Sequence, residues 1–247
     1  MFSDRNVRLA ISHAIDTQSV IDGVLLGYGQ VCTGPFHPTL SWACDPEVKP
    51  VRYDPTKALQ LLDEVGWRDV DGDGFLEKDG KVFEFVLVMD KGDEVKERAA
   101  RIVRQQLNDI GIRMTAQFLE IQDLIEVLRS GKHQATFTQF NGVGDPDNAS
   151  TVWHSARDDN YTFNFAFYKN EEVDRLFELG RVTVSEEERT KIYRHIHTLI
   201  AADAPATFLF FPETAEGIAA RFKGVKSYLH TGFYGSIKDW YVSEEDT

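Results

Sequence analysis

The sequence predicts an α/β fold in which a βαβαβ unit forms a parallel sheet flanked by helices. Two observations lead to this prediction. Three short apolar or alternating segments lie between residues 81 and 140, and each of the first two is followed by an amphipathic helical segment that ends at a glycine. Strands and helices that alternate in this way form parallel sheets with right-handed crossovers. Ligands of such sheets bind in the loops beyond the carboxyl ends of the strands.

Two helices are predicted before the sheet begins. In VRLAISHAID the apolar residues follow a helical stripe. In YDPTKALQLLDEVGW, Asp54 is placed to cap a helix, Pro55 occupies its first position and Gly66 ends it. The buried face of this second helix is predicted to contain Ala58, Leu61, Leu62 and Val65.

The segments of the βαβαβ unit follow in order. KVFEFVLVMD is short and almost continuously apolar, as is typical of a strand covered on both faces. EVKERAARIVRQQLNDIG is an amphipathic helix that ends at Gly111, and IRMTAQFLE alternates so that Ile112, Met114 and Phe118 point inward. IQDLIEVLRSG is a helix closed by Gly131, and HQATFTQF is the third strand.

Two further helices and a tail complete the chain. NEEVDRLFELGRV and SEEERTKIYRHIHTLIAADAP are helical, and Ser185 and Glu188 have the spacing of a capping box in the second. ATFLFFPE then predicts a strand. We expect an α/β ligand-binding lobe over residues 1–212 and a tail over residues 213–247 that runs outside the main sheet.

Charge and motif content exclude several classes of function. The net charge of −13 over 247 residues argues against nucleic acid, because binding there depends on Lys and Arg side chains that neutralise phosphates. The nucleophile, zinc and phosphate-loop patterns G-x-S-x-G, H-E-x-x-H, G-x-x-x-x-G-K-[ST] and G-x-G-x-x-G are absent from the sequence. His195 and His197 point to different faces of a helix, so we expect surface or partly packed histidines there. We therefore expect a binding protein without enzymatic activity, and an enzyme or an independent calcium-binding module is the competing hypothesis.

The loop after the third strand, NGVGDPDNASTVWHS, is the candidate ligand surface. It combines polar side chains with apolar walls, the mixture that small-molecule sites use. An ordinary turn is the alternative, because G-D-P-D-N is a strong turn signal. Trp42 could extend the wall or serve as a buried anchor. The candidate ligand contacts are Phe36, Trp42, Phe140, Asn141, Gly142, Asp145, Asp147, Trp153 and His154.

The stretch DVDGDGFLEKDG begins like a calcium-binding loop. Asp69, Asp71 and Asp73 occupy the first, third and fifth ligand positions, and Gly74 lies at the sharp turn. The twelfth position, where a bidentate Glu is needed, is Gly80. The sequence therefore favours a turn-rich connection without a cofactor, with a structural calcium ion as the alternative.

The two cysteines of the chain, Cys32 and Cys44, lie in a segment rich in Pro and Gly. A disulfide bond between them would suit an exported protein. Two free buried thiols are the alternative. The sequence leaves both open.

These segments, in this order, resemble the C-terminal half of the extracellular solute-binding proteins of ABC importers, in the family 5 group that includes oligopeptide-, dipeptide- and nickel-binding members. The resemblance lies in DRNVRLAISHAID, GYGQVCTGPFHP, YDPTKALQLLDEVGW, DVDGDGFLEKDGK, GIRMTAQFLE, GDPDNA and ERTKIYRHIHTLIAADAP. It implies a type II periplasmic-binding-protein-like lobe that closes on a solute against a separate N-terminal lobe and delivers the solute to permease subunits in the membrane. It also implies a periplasmic or extracellular location, with a membrane tether in the full-length protein.

The resemblance also bears on the ligand. In peptide-binding relatives, an aspartate four residues before the proline of the G-D-P motif holds the amino terminus of the ligand, and this position is Gly142 here. The aromatic residue usual three positions earlier is Gln139. A peptide amine without a nearby carboxylate loses a charge-assisted hydrogen bond, typically about 1.5 to 3 kcal/mol. Peptide is the ligand class that the family implies, and an oligosaccharide, an opine or a metal chelate is the alternative.

Overall fold

The computed structural model describes residues 1–140, 144–155, 163–213, 215–227 and 233–243. The helices are α1 (Arg5–Ala14), α2 (Thr17–Leu25), α3 (Pro55–Glu64), α4 (Glu94–Asn108), α5 (Ile121–Arg129), α6 (Ser150–Trp153), α7 (Glu171–Val182) and α8 (Glu186–Asp203), with 3-10 turns at Pro146–Ala149 and Phe233–Asp239. The strands are β1 (Gly29–Val31), β2 (Glu77–Lys78), β3 (Lys81–Val82), β4 (Glu84–Asp90), β5 (Arg113–Leu119), β6 (Ala135–Thr136), β7 (Phe210–Pro212), β8 (Phe222–Lys223) and β9 (Tyr241–Val242).

The predicted βαβαβ unit is confirmed as a three-stranded sheet in the order β5-β4-β6. Both neighbours run parallel to β4, which is therefore central. The third strand is shorter than predicted, with two residues paired to β4. Just before the strand, the side-chain oxygen of Gln134 accepts a hydrogen bond from the Val86 amide of β4 at 2.8 Å.

The helix boundaries follow the capping signals in the sequence. The Asp54 carboxylate accepts a hydrogen bond from the Lys57 amide at 2.9 Å, and Pro55 begins α3. Ser185 caps α8 by accepting from the Glu188 amide at 3.4 Å. Each cap satisfies an amide that has no partner within its own helix.

Most of the buried apolar side chains belong to two hydrophobic cores. The first packs α1, α3 and α4 against the sheet, and its largest fully buried side chains include Phe83, Leu107 and Ile112. The second packs α7 and α8 against the cysteine-containing segment and α6; its buried members are Phe36, Leu40, Ala43, Ala149, Trp153, Tyr168, Val173, Leu176, Phe177, Tyr193, Ile196 and Ile200. The loop after β6 therefore begins at the first core and ends in the second.

Arginine side chains of α1 bind the carboxyl end of α8 and so join the two cores. Arg5 Nε donates to the Ala202 carbonyl at 2.6 Å. Arg8 donates to the carbonyls of Asp203 and Ala204 at 2.8 and 2.7 Å. Cations at a helix carboxyl terminus satisfy free carbonyls and interact favourably with the helix dipole.

The remaining strands form small antiparallel pairs outside the main sheet. The predicted strand in ATFLFFPE is β7, and it pairs with β1 rather than with the βαβαβ unit. The acidic stretch contains a hairpin of β2 and β3 that the sequence interpretation missed. Its turn residues Asp79 and Gly80 both have positive φ, 52° and 71°, as a type I′ turn requires. The inward prediction for Phe118 is wrong, because its side chain is exposed.

Candidate functional site

The candidate ligand loop lies beyond the carboxyl end of β6, as predicted. Asn141 and Gly142 lie outside the described residues. Phe140 precedes them with 37% of its surface exposed, so its ring is available at the surface of this chain. The other predicted contacts are described, and most of them are engaged within the protein.

Asp145 begins the 3-10 turn that follows this gap. Its Oδ1 accepts a hydrogen bond from the Asp147 amide at 2.9 Å. Both carboxylate oxygens also accept from Nη2 of Arg189, at 2.6 and 2.8 Å. The side chain predicted to contact a ligand is therefore bound to α8.

Arg189 is held in place by the aromatic residues around it. Its guanidinium lies 5.6 Å from the ring centre of Trp42 and 5.1 Å from that of Tyr193, within the range of cation–π attraction. Nε of Arg189 donates to the Gly180 carbonyl of α7 at 3.0 Å. Trp42 packs edge-on against Tyr193, with ring centres 5.8 Å apart. Trp42 is partly buried against the second core, and a ligand-contacting role for it stays a prediction.

Asp147 forms a second ion pair, with Arg181 at the end of α7. Nε and Nη2 of Arg181 meet the two carboxylate oxygens at 2.9 and 3.2 Å. Nη2 also reaches Ser150 Oγ at 3.3 Å. The hydrogen bonds to Asp147 raise the pKa of Arg181 above its ordinary value. Two arginines that the sequence interpretation did not single out thus bind the two aspartates of the loop.

Phe36 and Trp153 were predicted as apolar walls and instead belong to the second core. Phe36 is 2% exposed and Trp153 is 7% exposed. The Phe36 ring packs edge-on against Tyr193, and the Trp153 ring packs against Phe208. In this chain both side chains are enclosed by protein, so they support the loop from beneath and offer no surface to a solute.

His154 is buried between two carboxylates of α7. Its Nδ1 lies 3.7 Å from Asp174 Oδ1, and its Nε2 lies 3.6 Å from Glu178 Oε1. The Ser155 amide donates to Asp174 Oδ1 at 2.9 Å, and its hydroxyl donates to the other oxygen of the same carboxylate. A ligand-contacting role for His154 stays a prediction.

The acidic loop brings four carboxylates together. Asp69, Asp71, Asp73 and Glu77 each place an oxygen within 4.8 Å of the others. Glu77 was missed by the sequence interpretation, although it occupies the ninth position of the calcium-loop pattern. Oxygen donors of this kind suit a hard cation such as calcium. Calcium binding here stays a prediction.

The same carboxylates also bind the loop's own backbone. Asp69 accepts from the amides of Gly72 and Gly74 at 2.7 and 3.0 Å, and Glu77 accepts from the Val70 amide at 2.9 Å. These bonds tie the turn to its own backbone. The turn-rich connection favoured by the sequence is thus consistent with the structure.

Cys32 and Cys44 are free thiols in the structure. Cys32 Sγ lies 3.1 Å from the Gly34 carbonyl, and Cys44 Sγ lies 3.7 Å from the His37 carbonyl. Burial raises the pKa of the Cys32 thiol to about 12, so the reactive thiolate is disfavoured at neutral pH. Of the two alternatives left open for the cysteines, the structure has the unbonded one.

His197 is fully buried in the second core, which corrects the expectation of a surface or partly packed histidine. Its Nδ1 accepts a hydrogen bond from the Asp45 amide at 2.9 Å, so Nε2 carries the proton and lies 3.3 Å from Thr33 Oγ1. A Cβ atom at Gly34 would lie 2.4 Å from the imidazole, so glycine is required there. Burial lowers the pKa of His197, partly opposed by the nearby Asp45 carboxylate.

Comparison with known proteins identifies the class to which this fold and loop belong. Residues 1–163 match the family model for bacterial extracellular solute-binding proteins, family 5 Middle. The chain belongs to this family. Its members are solute-binding proteins rather than enzymes, and they are extracellular or periplasmic.

Individual relatives place the chain within that family. It is similar to the oligopeptide-binding protein AppA of Bacillus subtilis, at 33% identity over 99% of this chain and 45% of AppA. The structure of AppA in complex with a nonapeptide matches 98% of this chain and 48% of AppA, with a TM-score of 0.85. The predicted periplasmic-binding-protein-like α/β fold is thereby confirmed.

Two further structures are similar at 26% identity. DppA from Helicobacter pylori, in complex with the peptide STSA, has a TM-score of 0.79 over 98% of this chain and 45% of that chain. NikZ from Campylobacter jejuni, in complex with Ni(L-His), has a TM-score of 0.81 over 96% of this chain and 48% of that chain. The chain thus spans about half the length of the relatives that it matches. None of the helices described is long and apolar enough to cross a membrane.

Proposed function

We propose that this chain is the C-terminal lobe of the substrate-binding component of an ABC importer. It captures a peptide-like solute against an N-terminal lobe and delivers it to permease subunits in the membrane. The observation that carries the proposal is the match to AppA, which covers nearly all of this chain and about half of AppA. Ligand contacts to both lobes stabilise the closed state, and their differential affinity sets the population shift.

The division of the chain supports a role as one of two lobes. We assign residues 1–212 to the lobe and residues 213–247 to a tail that returns toward the N-terminal lobe. In the described part of the tail, Ser236 Oγ accepts hydrogen bonds from the Lys226 amide and from Trp240 Nε1, both at 2.9 Å. The tail also exposes three large apolar or aromatic side chains, which an N-terminal lobe would cover: Tyr234, Ile237 and Tyr241.

Peptide is the proposed solute, because AppA and DppA have peptide ligands in their structures. A non-peptide solute such as an oligosaccharide, an opine or a metal chelate is the alternative. Two observations favour keeping it: Gly142 replaces the amine-binding aspartate of the peptide-binding pattern, and the similar NikZ structure contains Ni(L-His). In either case the solute leaves chemically unchanged, from a periplasmic or extracellular protein that is tethered to the membrane.

Native mass spectrometry of the full-length protein with both lobes, purified without denaturation from its own source, tests this function. We expect a bound peptide in one-to-one ratio, released intact by denaturation. Phe140→Ala removes the exposed ring at the loop and should reduce the bound fraction. Val184→Ala, which changes a side chain that is 97% exposed on the α7–α8 connection, is the matched control and should leave the fraction unchanged. A chemically altered solute, or a preparation without any bound solute, would contradict the proposal.

A further inference from the structure

Two arginines from the α7–α8 hairpin reach the loop that follows β6. Arg181 binds Asp147 across 34 residues of sequence, and Arg189 binds Asp145 across 44 residues. Both pairs use two oxygens of the carboxylate. Arg181 uses two nitrogens for the two oxygens, which fixes orientation as well as distance, whereas Nη2 of Arg189 alone contacts both oxygens of Asp145.

Arg189 has further contacts outside the loop, and Arg181 has a further contact at the end of the loop. Arg189 donates to the Gly180 carbonyl and lies over the rings of Trp42 and Tyr193, and 23% of its side chain is exposed. Arg181 shares its Nη2 with Ser150, the first residue of α6. The loop is therefore connected to α7 and α8 at two successive points.

The other end of the loop has a weaker anchor. β6 contributes two residue pairs to the sheet, Leu87 with Ala135 and Val88 with Thr136. One further ladder bond, from the Phe137 amide to the Val88 carbonyl, measures 3.2 Å. A strand this short leaves the direction of the following loop poorly determined.

We propose that Arg181 and Arg189 are positioning residues that set the place of the loop over residues 144–150, from a helix hairpin that does not touch the solute. This inference rests on the proposed function, because the loop matters for binding only if it is one jaw of the site. Asp145 and Asp147 then act through the arginines, with their carboxylates turned toward the hairpin. Solute affinity becomes sensitive to substitutions in the α7–α8 hairpin.

The test is amide hydrogen exchange of residues 144–150 in the intact, solute-free protein, followed by mass spectrometry. Arg181→Gln and Arg189→Gln should each speed exchange about fivefold or more, while amides of α1 and α3 keep their rates. The control is Arg175→Gln: Arg175 forms an equal two-point pair with Glu172 at 2.8 and 2.6 Å on α7, away from the loop. We expect less than a twofold change there.

A reversed pair separates positioning from general stability. Asp147→Arg and Arg181→Asp should each loosen the loop, and the double variant Asp147→Arg/Arg181→Asp should restore exchange to within about twofold of the original rate. Equal exchange in Arg181→Gln and Arg175→Gln would overturn the proposal. So would a double variant as fast as the single ones.

A second measurement connects the loop to the site. Retention of a synthetic nonapeptide mixture by the solute-free protein should fall in Arg181→Gln and stay unchanged in Arg175→Gln. Faster exchange with unchanged retention would overturn the positioning role in binding. No retention by the unsubstituted protein would count against peptide as the solute, while the exchange rates would still decide whether the two arginines position the loop.

Discussion

The acidic loop at residues 69–77 and the ligand loop at residues 144–150 both contain closely spaced aspartates. The hydrogen-bond partners of these aspartates differ between the two loops. In the acidic loop, Asp69 binds the amides of Gly72 and Gly74, within five residues of itself. In the ligand loop, Asp145 binds Arg189 on a distant helix. Asp145 also accepts a hydrogen bond from the Asp147 amide, so aspartates make local turns in both loops, and in the ligand loop they connect separate elements as well.

This difference shows which aspartates can be interpreted from the sequence. A carboxylate that binds amides two to five residues away follows from local turn chemistry. A carboxylate that binds an arginine 44 residues away does not, since the fold creates the pair. The sequence favours a turn in the acidic loop, with calcium as the alternative, and ligand contact for Asp145 and Asp147. The structure shows amide partners for Asp69 and arginine partners for Asp145 and Asp147.

Among the substitutions that test this comparison, loss of Arg189 should lower the free energy of unfolding the most. Arg189→Ala removes the ion pair with Asp145, the bond to the Gly180 carbonyl and the packing on Trp42 and Tyr193. We expect the free energy of unfolding to fall by about 2 kcal/mol, because a carbonyl and a partly shielded carboxylate lose their partner. Urea denaturation of this variant measures the loss.

Arg175→Ala is the matched control for that loss. Its pair with Glu172 is exposed and confined to one helix, so we expect little or no loss of stability. An equally small loss in Arg189→Ala would mean that the ligand loop is no more connected to the hairpin than a surface ion pair.

The buried His197 on α8 also connects distant segments, through a hydrogen bond from the Asp45 amide rather than an ion pair. Its pKa in the folded protein is lowered by burial, so the unfolded chain binds the proton more readily. Stability should therefore be greatest above pH 6.5 and should fall as the pH drops below 6.5 toward the lowered pKa. Each unit by which the pKa is lowered corresponds to about 1.4 kcal/mol.

Urea denaturation between pH 7.5 and pH 5 measures this dependence. His197→Gln keeps an acceptor near the Asp45 amide and cannot take up the proton, so its stability should change less over that range. Asp45 lies near the ring and is unchanged in the variant. An identical pH dependence in both proteins would show that His197 contributes nothing to it.

The smallest expected effect belongs to the acidic loop. Asp69→Ala removes the acceptor of two exposed amides, and we expect a loss of about 1 kcal/mol in a buffer that contains a chelator. Asp71→Ala removes a single bond to the Asp73 amide at 3.1 Å, and its loss should be smaller. Thermal denaturation of both variants ranks them.

Calcium provides the sharpest way to break the comparison. If millimolar calcium raised the melting temperature of the unsubstituted protein by several degrees but left Asp69→Ala unaffected, the acidic loop would be a metal site rather than a turn held by its own amides. The aspartates of both loops would then bind cations: calcium in the acidic loop, and the guanidinium groups of Arg181 and Arg189 in the ligand loop.

Much of the fold was predictable because its signals are local. Asp54, Pro55 and Gly66 delimit α3, and Ser185 begins α8, as the capping patterns indicated. The parallel order of β4, β5 and β6 followed from the alternation of strands and helices. The short length of β6 was not predictable, since HQATFTQF has no breaker that marks an end at Thr136.

The candidate site was less predictable, because its residues depend on distant partners. The position of the loop after a strand was correctly predicted, and Phe140 is exposed there. Phe36 and Trp153 resemble binding-site aromatics in sequence, but packing against α7 and α8 buries them. Arg181 and Arg189 belong to no sequence motif. The two ion pairs could have been suggested only by matching the two aspartates of the loop with the basic residues of the α7–α8 hairpin.

Titration of the intact, solute-free protein with synthetic peptides of two to nine residues, followed by mass analysis of the recovered peptide, tests the central claim most directly. The account predicts saturable one-to-one binding of at least one peptide length and recovery of that peptide with its mass unchanged. Cleavage or modification of the peptide would contradict the account, and so would the absence of binding at every length.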